Sequence, residues 1–320
     1  MRLPALTTNH IGIASALAAS FSFTINDAAI KFLSGDYPLH QIVFCRAVIA
    51  LIITIAFIMP LDGGRGAIKT QKLKLHFIRG GLVVLANSFF FAGLAAIPLS
   101  EATALFFVAP VVITLFSVIF LGEKVGKFRW GATILGLAGA VIMLRPTSDS
   151  FQLAAILPII AAVCYAGLHI MSRKMGGTER ASTMSVYVNL TFIIVGVVMG
   201  SLFGAGQFGT SGNASVDFIF RAWVMPASDD WIVLGTVGLA SCFGGFFISQ
   251  AYRICEVALI APFEYVALVL AIIWGIVFFG EWPDAIAWLG TALILASGLV
   301  VVWRETVLKR RQSTPMLRQR

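Results

Sequence analysis

Ten apolar runs of about twenty residues each, most joined by connections of only a few residues, leave this chain little choice of fold. They lie at about 11–33, 39–60, 75–97, 101–121, 129–145, 152–172, 182–204, 230–252, 257–280 and 285–303. A helix needs roughly 20 apolar residues to cross the hydrocarbon core of a bilayer. Within that core its backbone polar groups must be satisfied internally. With 59% hydrophobic and 12% charged residues and a mean hydropathy of +0.93, a soluble fold could not hide this much apolar surface. The sequence therefore predicts an all-α integral membrane protein of ten transmembrane helices. The first run, Ile11–Leu33, is too long for a signal peptide and carries Asn26, Asp27 and Lys31 near its end, so it reads as a retained helix.

The basic residues orient the bundle. If the N-terminal segment 1–10 is cytoplasmic, that side receives Arg2, Arg65, Lys69, Lys72, Lys74, Arg79, Lys124, Lys127, Arg129, Arg173, Lys174, Arg180 and Arg253. It also receives the tail residues Arg304, Lys309, Arg310, Arg311, Arg318 and Arg320, making 19 of the 23 Lys and Arg residues. The opposite side keeps Arg145 and Arg221, while Lys31 and Arg46 lie within spans. The positive-inside rule then places both termini in the cytoplasm, in a cell (inner or plasma) membrane. The tail 304–320 is expected to be a flexible polybasic segment near anionic lipid headgroups. The net charge of +8 follows from this topology and implies no nucleic-acid partner, because no basic face is interleaved with exposed aromatics.

Two runs end alike, in Ile119-Phe120-Leu121-Gly122-Glu123 and Val277-Phe278-Phe279-Gly280-Glu281, and each holds an internal proline, Pro110 or Pro262. With the orientation above, Glu123 is cytoplasmic and Glu281 external. A five-span unit used in both orientations is the signature of an inverted duplication, with halves at 11–145 and 152–303. Ala16–Leu33 also lies over Pro158–Met175 without gaps, pairing Lys31 with Arg173 and Asp27 with His169. The Gly-Glu ends read as architecture at the water interface, and the prolines as hinges.

On the paired Gly-Glu ends, the segment Ala261-Pro262-Phe263-Glu264-Tyr265 and the basic ends of spans one and six, the chain resembles the drug/metabolite transporter superfamily in its ten-helix, two-EamA-domain form. The resemblance covers about residues 11–303. It implies secondary transport of small metabolites by alternating access, around a cavity lined mainly by spans 1–4 and 6–9. It implies no particular substrate, because members carry amino acids, vitamins, nucleotide-like compounds and drugs.

Charges inside a bilayer are costly and usually face a cavity or a partner. Asp27 and Lys31 are four residues apart on one helix face, close enough to pair. Arg46 lies roughly 10 Å deep at 1.5 Å per residue, at a depth similar to Asp27. A buried Asp27–Arg46 pair lining the cavity is one expectation; a structural salt bridge between neighbouring helices is the other. Lys31 can also reach the surface along its stem. Glu264, two residues after Pro262, is the expected substrate-cation or proton-coupling site, against a structural hydrogen bond to a neighbouring helix. Asn26, Gln41, Asn87, Ser88, Tyr165, His169, Asn189, Gln250, Tyr265 and Trp274 are further cavity candidates, each competing with a role in helix packing. His169 falls within a turn of the cytoplasmic interface, which would leave it wet. Tyr265 and Trp274 lie on opposite faces of one helix, and Tyr265 is favoured beside Glu264. Ala132, Gly136, Ala140, Ala292 and Ala296 suit close helix packing or a dimer contact, for a monomer or homodimer.

No P-loop, metal-ligand cluster or hydrolase motif is present, so no cofactor, metal or enzymatic activity is expected. Cys45, Cys164, Cys242 and Cys255 have no metal or redox spacing. Asn213-Ala214-Ser215 matches a glycosylation sequon in the long connection 205–229. The function expected is secondary transport of a small polar or amphipathic metabolite. A zwitterion such as an amino acid is favoured over a vitamin such as riboflavin or a nucleotide-like compound. A multi-span membrane enzyme acting on lipids and a channel are the alternatives.

Overall fold

The computed structural model describes residues 8–313 apart from 63–68, 71, 123–125, 145–152, 176–177, 210, 256–259 and 261–262. Among the described residues every regular element is helical. In chain order they are α1 (Thr8–Leu33), α2 (Leu39–Ile53), α3 (Leu73–Leu94), α4 (Leu99–Phe106), α5 (Ala109–Leu121) and α6 (Lys127–Leu144). There follow α7 (Ile156–Met175), α8 (Ala181–Phe203), the short α9 (Ala214–Phe220), α10 (Asp230–Ile254), α11 (Val266–Phe279) and α12 (Ala285–Ser313). A π-helical turn, Thr54–Ile58, carries α2 on to Leu61. Seven stretches are long and apolar enough to cross a membrane, and Val266–Phe279 and Ala285–Ser297 are shorter apolar helices. The ninth span is shorter than expected because the chain turns at Tyr265 before α11 begins. Phe57, Ile134 and Val277 are 67%, 64% and 64% exposed, an outer surface suited to lipid rather than water.

The fourth span is broken between α4 and α5 at Phe107 and Val108, with Pro110 in the first turn of α5, where its missing N–H costs no helical bond. Tyr265 marks the break ahead of α11. Each break lies fifteen residues before a glycine (107 to 122, 265 to 280). The Phe107 and Tyr265 rings stack on each other, centroids 5.0 Å apart, so the two spans meet at their breaks. Pro262 lies outside the described residues.

Gly122 and Gly280 end α5 and α11 in the left-handed conformation, φ 68° and 64°, which a side chain would strain. Glu123 lies outside the described residues. Glu281 accepts the backbone N–H of Leu99 at 2.9 Å. Leu99 opens the span that Gly122 closes, so the two glycines sit at opposite ends of the bundle.

The helices pack mainly in pairs: α1 on α10, α3 on α7, α2 on α8 and α6 on α12. In the last pair Gly139 lies against the Gly290 backbone, where an added Cβ would meet the carbonyl oxygen at 2.8 Å, and Gly136 faces Ser297. Ala292 is exposed and takes no part in this seam, and the side chains of Ala132 and Ala140 lie outside the described residues. Gly139→Leu should destabilise the pair by about 1–3 kcal/mol through overpacking and lower the melting temperature in detergent. Gly131→Ala on the same helix has open space and should melt at or above wild type. Equal melting of Gly139→Leu and wild type would refute the tight seam.

At the end of the chain α12 continues to Ser313, so the basic segment expected to be flexible from Arg304 begins as helix. At the Gly280 end, the segment after α9 is strapped to the α1–α2 connection. Arg221 donates to the carbonyls of Ser34 and Gly35, Trp223 to His40, and Gln41 exchanges two hydrogen bonds with Val224. Gln41 thus belongs to this strap rather than to a cavity. Asp217, accepting from Ser211 and Gly212, is held below the usual carboxylate range. Asn213 of the sequon caps α9 through its side-chain oxygen.

Candidate functional site

A cavity of about 190 Å³ opens inside the bundle, lined from α1, α2, α3, α4, α7, α8, α10 and α11 and by Phe107 and Glu264. Ser20, Phe23, Thr24 and Asp27 line it from one face of α1; Ser241, Gly245, Ser249 and Tyr252 do so from one face of α10. Its walls are strongly aromatic: Phe90 and Phe91 from α3, Phe106 and Phe107 at the broken span, Phe192 from α8 and Tyr165 from α7.

Arg46 and Asp27 both line this cavity but form no ion pair. Lys31 pairs instead with Glu281 at 2.8 Å, and His76 Nε2 lies 3.3 Å from Glu179. Arg46, 3% exposed, donates to Asn87 Oδ1 at 2.7 Å, and its guanidinium lies 4.7 Å from the Phe192 ring centroid and 5.6 Å from that of Phe91. Asp27 accepts from Asn26 at 3.1 Å. Neighbouring amides and ring faces therefore hold the two charges that were expected to hold each other. The Asp27–Lys31 alternative also fails. Lys31 turns away to Glu281 and to the Ile97 carbonyl at 2.8 Å, outside the cavity.

Glu264 lines the cavity and accepts two phenolic hydroxyls, Tyr165 at 3.0 Å and Tyr252. His169 packs against both phenol rings, each centroid 4.2 Å away. It is 3% exposed, not wet, because α7 and α10 close over it with those two tyrosines. Asn189 also lines the cavity, whereas Ser88 does not, and Gln250 binds Arg253 instead. Tyr265 and Trp274 are both outside the cavity. Tyr265 is taken up by its stack on Phe107, and Trp274 donates to Thr24 at 3.3 Å and stacks on Phe278.

Sequence reasoning missed Arg79 and Tyr252. Arg79 belongs in the cavity rather than with the cytoplasmic cations: buried nearly two turns into α3, it donates to Ser172 at 2.8 Å, the Met184 carbonyl at 3.1 Å and Ser249 at 3.4 Å. The Ser241-Gly245-Ser249-Tyr252 stripe on α10 was the readable signal for Tyr252. None of the four cysteines is in a disulfide, and no group of three or more metal-ligating side chains occurs among the described residues.

Comparison with known proteins fits this arrangement. Residues 10–145 match the EamA-like transporter family. The chain is 29% identical to a riboflavin transporter of Rhizobium johnstonii over 94% of each chain. It is 27% identical to an S-adenosylmethionine uptake transporter of Rickettsia prowazekii, over 94% of this chain and 95% of that one. The chain is a small-metabolite transporter, similar over residues 10–145 to the EamA-like family. It is also 26% identical to the pseudopaline exporter of Pseudomonas aeruginosa, over 89% and 94% of the two chains. A solved crystal structure sharing 19% identity has the same fold, with a TM-score of 0.66 over 94% of this transporter and 99% of that chain.

Proposed function

We propose that this transporter moves a small amphipathic metabolite carrying a planar ring, by alternating access, through a cell inner membrane with both termini cytoplasmic. The observation that carries the cargo class is the cavity wall: eight phenylalanine and tyrosine rings beside a small set of buried polar groups. Aromatic faces bind flat conjugated rings by stacking, and the polar groups orient what the ring carries. This shifts the favoured cargo from a simple amino acid to a ring-bearing molecule, and the likeness to riboflavin and S-adenosylmethionine transporters supports that shift. Riboflavin is the first candidate.

The halves 11–145 and 152–303 act as inverted repeats that rock about the cavity. Their support is the equal spacing from break to glycine and the opposed positions of Gly122 and Gly280. Asp27, Arg46, Asn26, Asn87, His169 and Glu264 meet the cargo, with Glu264 coupling transport to protons.

Purified protein in liposomes, given riboflavin, S-adenosylmethionine and mixed amino acids with and without a proton gradient, tests the reading. Saturable riboflavin uptake with counterflow is expected. Flux that neither saturates nor shows counterflow would indicate a channel, and saturable transport confined to amino acids would refute the ring-bearing cargo.

A further inference from the structure

Two of the four charged side chains lining the cavity are committed to protein partners. Both Glu264 oxygens accept tyrosine hydroxyls, and Arg79 donates to Ser172, Ser249 and the Met184 carbonyl. A different set of buried atoms has no hydrogen-bond partner: Asn26 Oδ1, Arg46 Nε, both nitrogens of His169 and Ser185 Oγ. Their residues are 2%, 3%, 3% and 6% exposed, and all four line the cavity. A buried polar atom left unpaired is costly, so these atoms define the hydrogen bonds a cargo must make.

The set carries a chemical pattern. Arg46 Nε–H donates and Asn26 Oδ1 accepts. A neutral imidazole offers one donor and one acceptor, and the Ser185 hydroxyl can serve as either. Both stations therefore ask for neutral hydrogen-bonding groups. Formal charges in the cavity cancel, Asp27 and Glu264 against Arg46 and Arg79. A phosphate would want an open guanidinium fork, whereas Arg46 already gives Nη2 to Asn87 and has the Phe91 and Phe192 rings within 5.6 Å of its guanidinium. The imidazole is held in place by Tyr165 and Tyr252, themselves tied to Glu264.

We propose that His169 is the specificity-determining residue of the cavity, selecting uncharged planar heterocycles that bear an amide or imide edge. The ring N–H or carbonyl of that edge pairs with the imidazole, while the Asn26–Arg46 station takes the polar substituent. This rests on the ring-bearing cargo argued above.

Riboflavin, whose fluorescence reports binding, and riboflavin methylated at its imide nitrogen test the assignment on the full-length protein in detergent. His169→Phe removes both nitrogens, whereas His169→Gln restores a donor and an acceptor and controls for folding. His169→Phe should weaken riboflavin binding about tenfold, as for one lost buried hydrogen bond, with His169→Gln close to wild type. Methylation should weaken binding to wild type by a similar factor and leave His169→Phe unaffected, which makes the two changes a thermodynamic cycle. Wild-type affinity in His169→Phe, or an equal methylation penalty in both proteins, would overturn this inference alone. Failure of the wild type to bind riboflavin would overturn the ring-bearing cargo and this inference with it.

Discussion

Glu281→Ala should destabilise the transporter by about 2–3 kcal/mol, read as a lower melting temperature in detergent, and Lys31→Met combined with Glu281→Gln should recover part of the loss. Glu281 does two jobs at the Gly280 end of the bundle. One oxygen pairs with Lys31 at 2.8 Å, and the other accepts the first backbone N–H of α4 from Leu99 at 2.9 Å. The Lys31 and Glu281 side chains are only 14% and 22% exposed, so neither charge can fully rehydrate when its partner is removed. Breaking one half of a fully buried pair costs about 3–5 kcal/mol, and partial exposure brings the figure down. Truncation to alanine also leaves the helix N-terminus of α4 one acceptor short. In the double variant the glutamine keeps an acceptor for Leu99, and no ammonium is left without its counter-charge. A double variant no more stable than Glu281→Ala would mean that neither the unpaired ammonium nor the missing acceptor at the helix terminus accounts for the loss.

That ion pair shows where sequence reading stops. The Gly280 helix end was legible, because a left-handed cap after an apolar run is a local property of the chain. So was the break near Pro110, since proline acts on its own helix. Four-residue spacing puts Lys31 within reach of Asp27, yet its partner comes from 250 residues further along the chain. Local spacing says which groups can meet on one helix. It cannot say whether a group from another helix satisfies them better. Arg79 is the same case. A cation near the start of a helix reads as interfacial, and only the convergence of Ser172, Met184 and Ser249 from three other helices makes it part of the cavity. Tyr265 was favoured because it adjoins Glu264, but neighbouring residues on a helix diverge by about 100°, and the Phe107 ring was waiting on its side.

Glu264→Gln should separate exchange from accumulation. If one proton is coupled across 100 mV, the wild-type protein can draw on about 2.3 kcal/mol, enough for a roughly fifty-fold gradient of cargo. The variant should equilibrate its cargo without concentrating it, keep counterflow within a few-fold of wild type, and lose its response to a pH gradient. Glutamine fits the site: its amide oxygen still accepts one phenol, and the other phenol can rotate to accept from the amide N–H. Protonation of the native carboxylate makes the same demand, because the new O–H needs an acceptor. Either Tyr165 or Tyr252 must then stop donating to Glu264 and turn its own hydroxyl elsewhere. The imidazole of His169 packs against both rings and has unpartnered nitrogens to receive it. A proton on Glu264 would thus change the hydrogen bonds that the cavity offers its cargo, which is the differential interaction any coupled transporter requires. Accumulation that survives in Glu264→Gln, with its pH response intact, would reduce Glu264 to a bracket for two tyrosines.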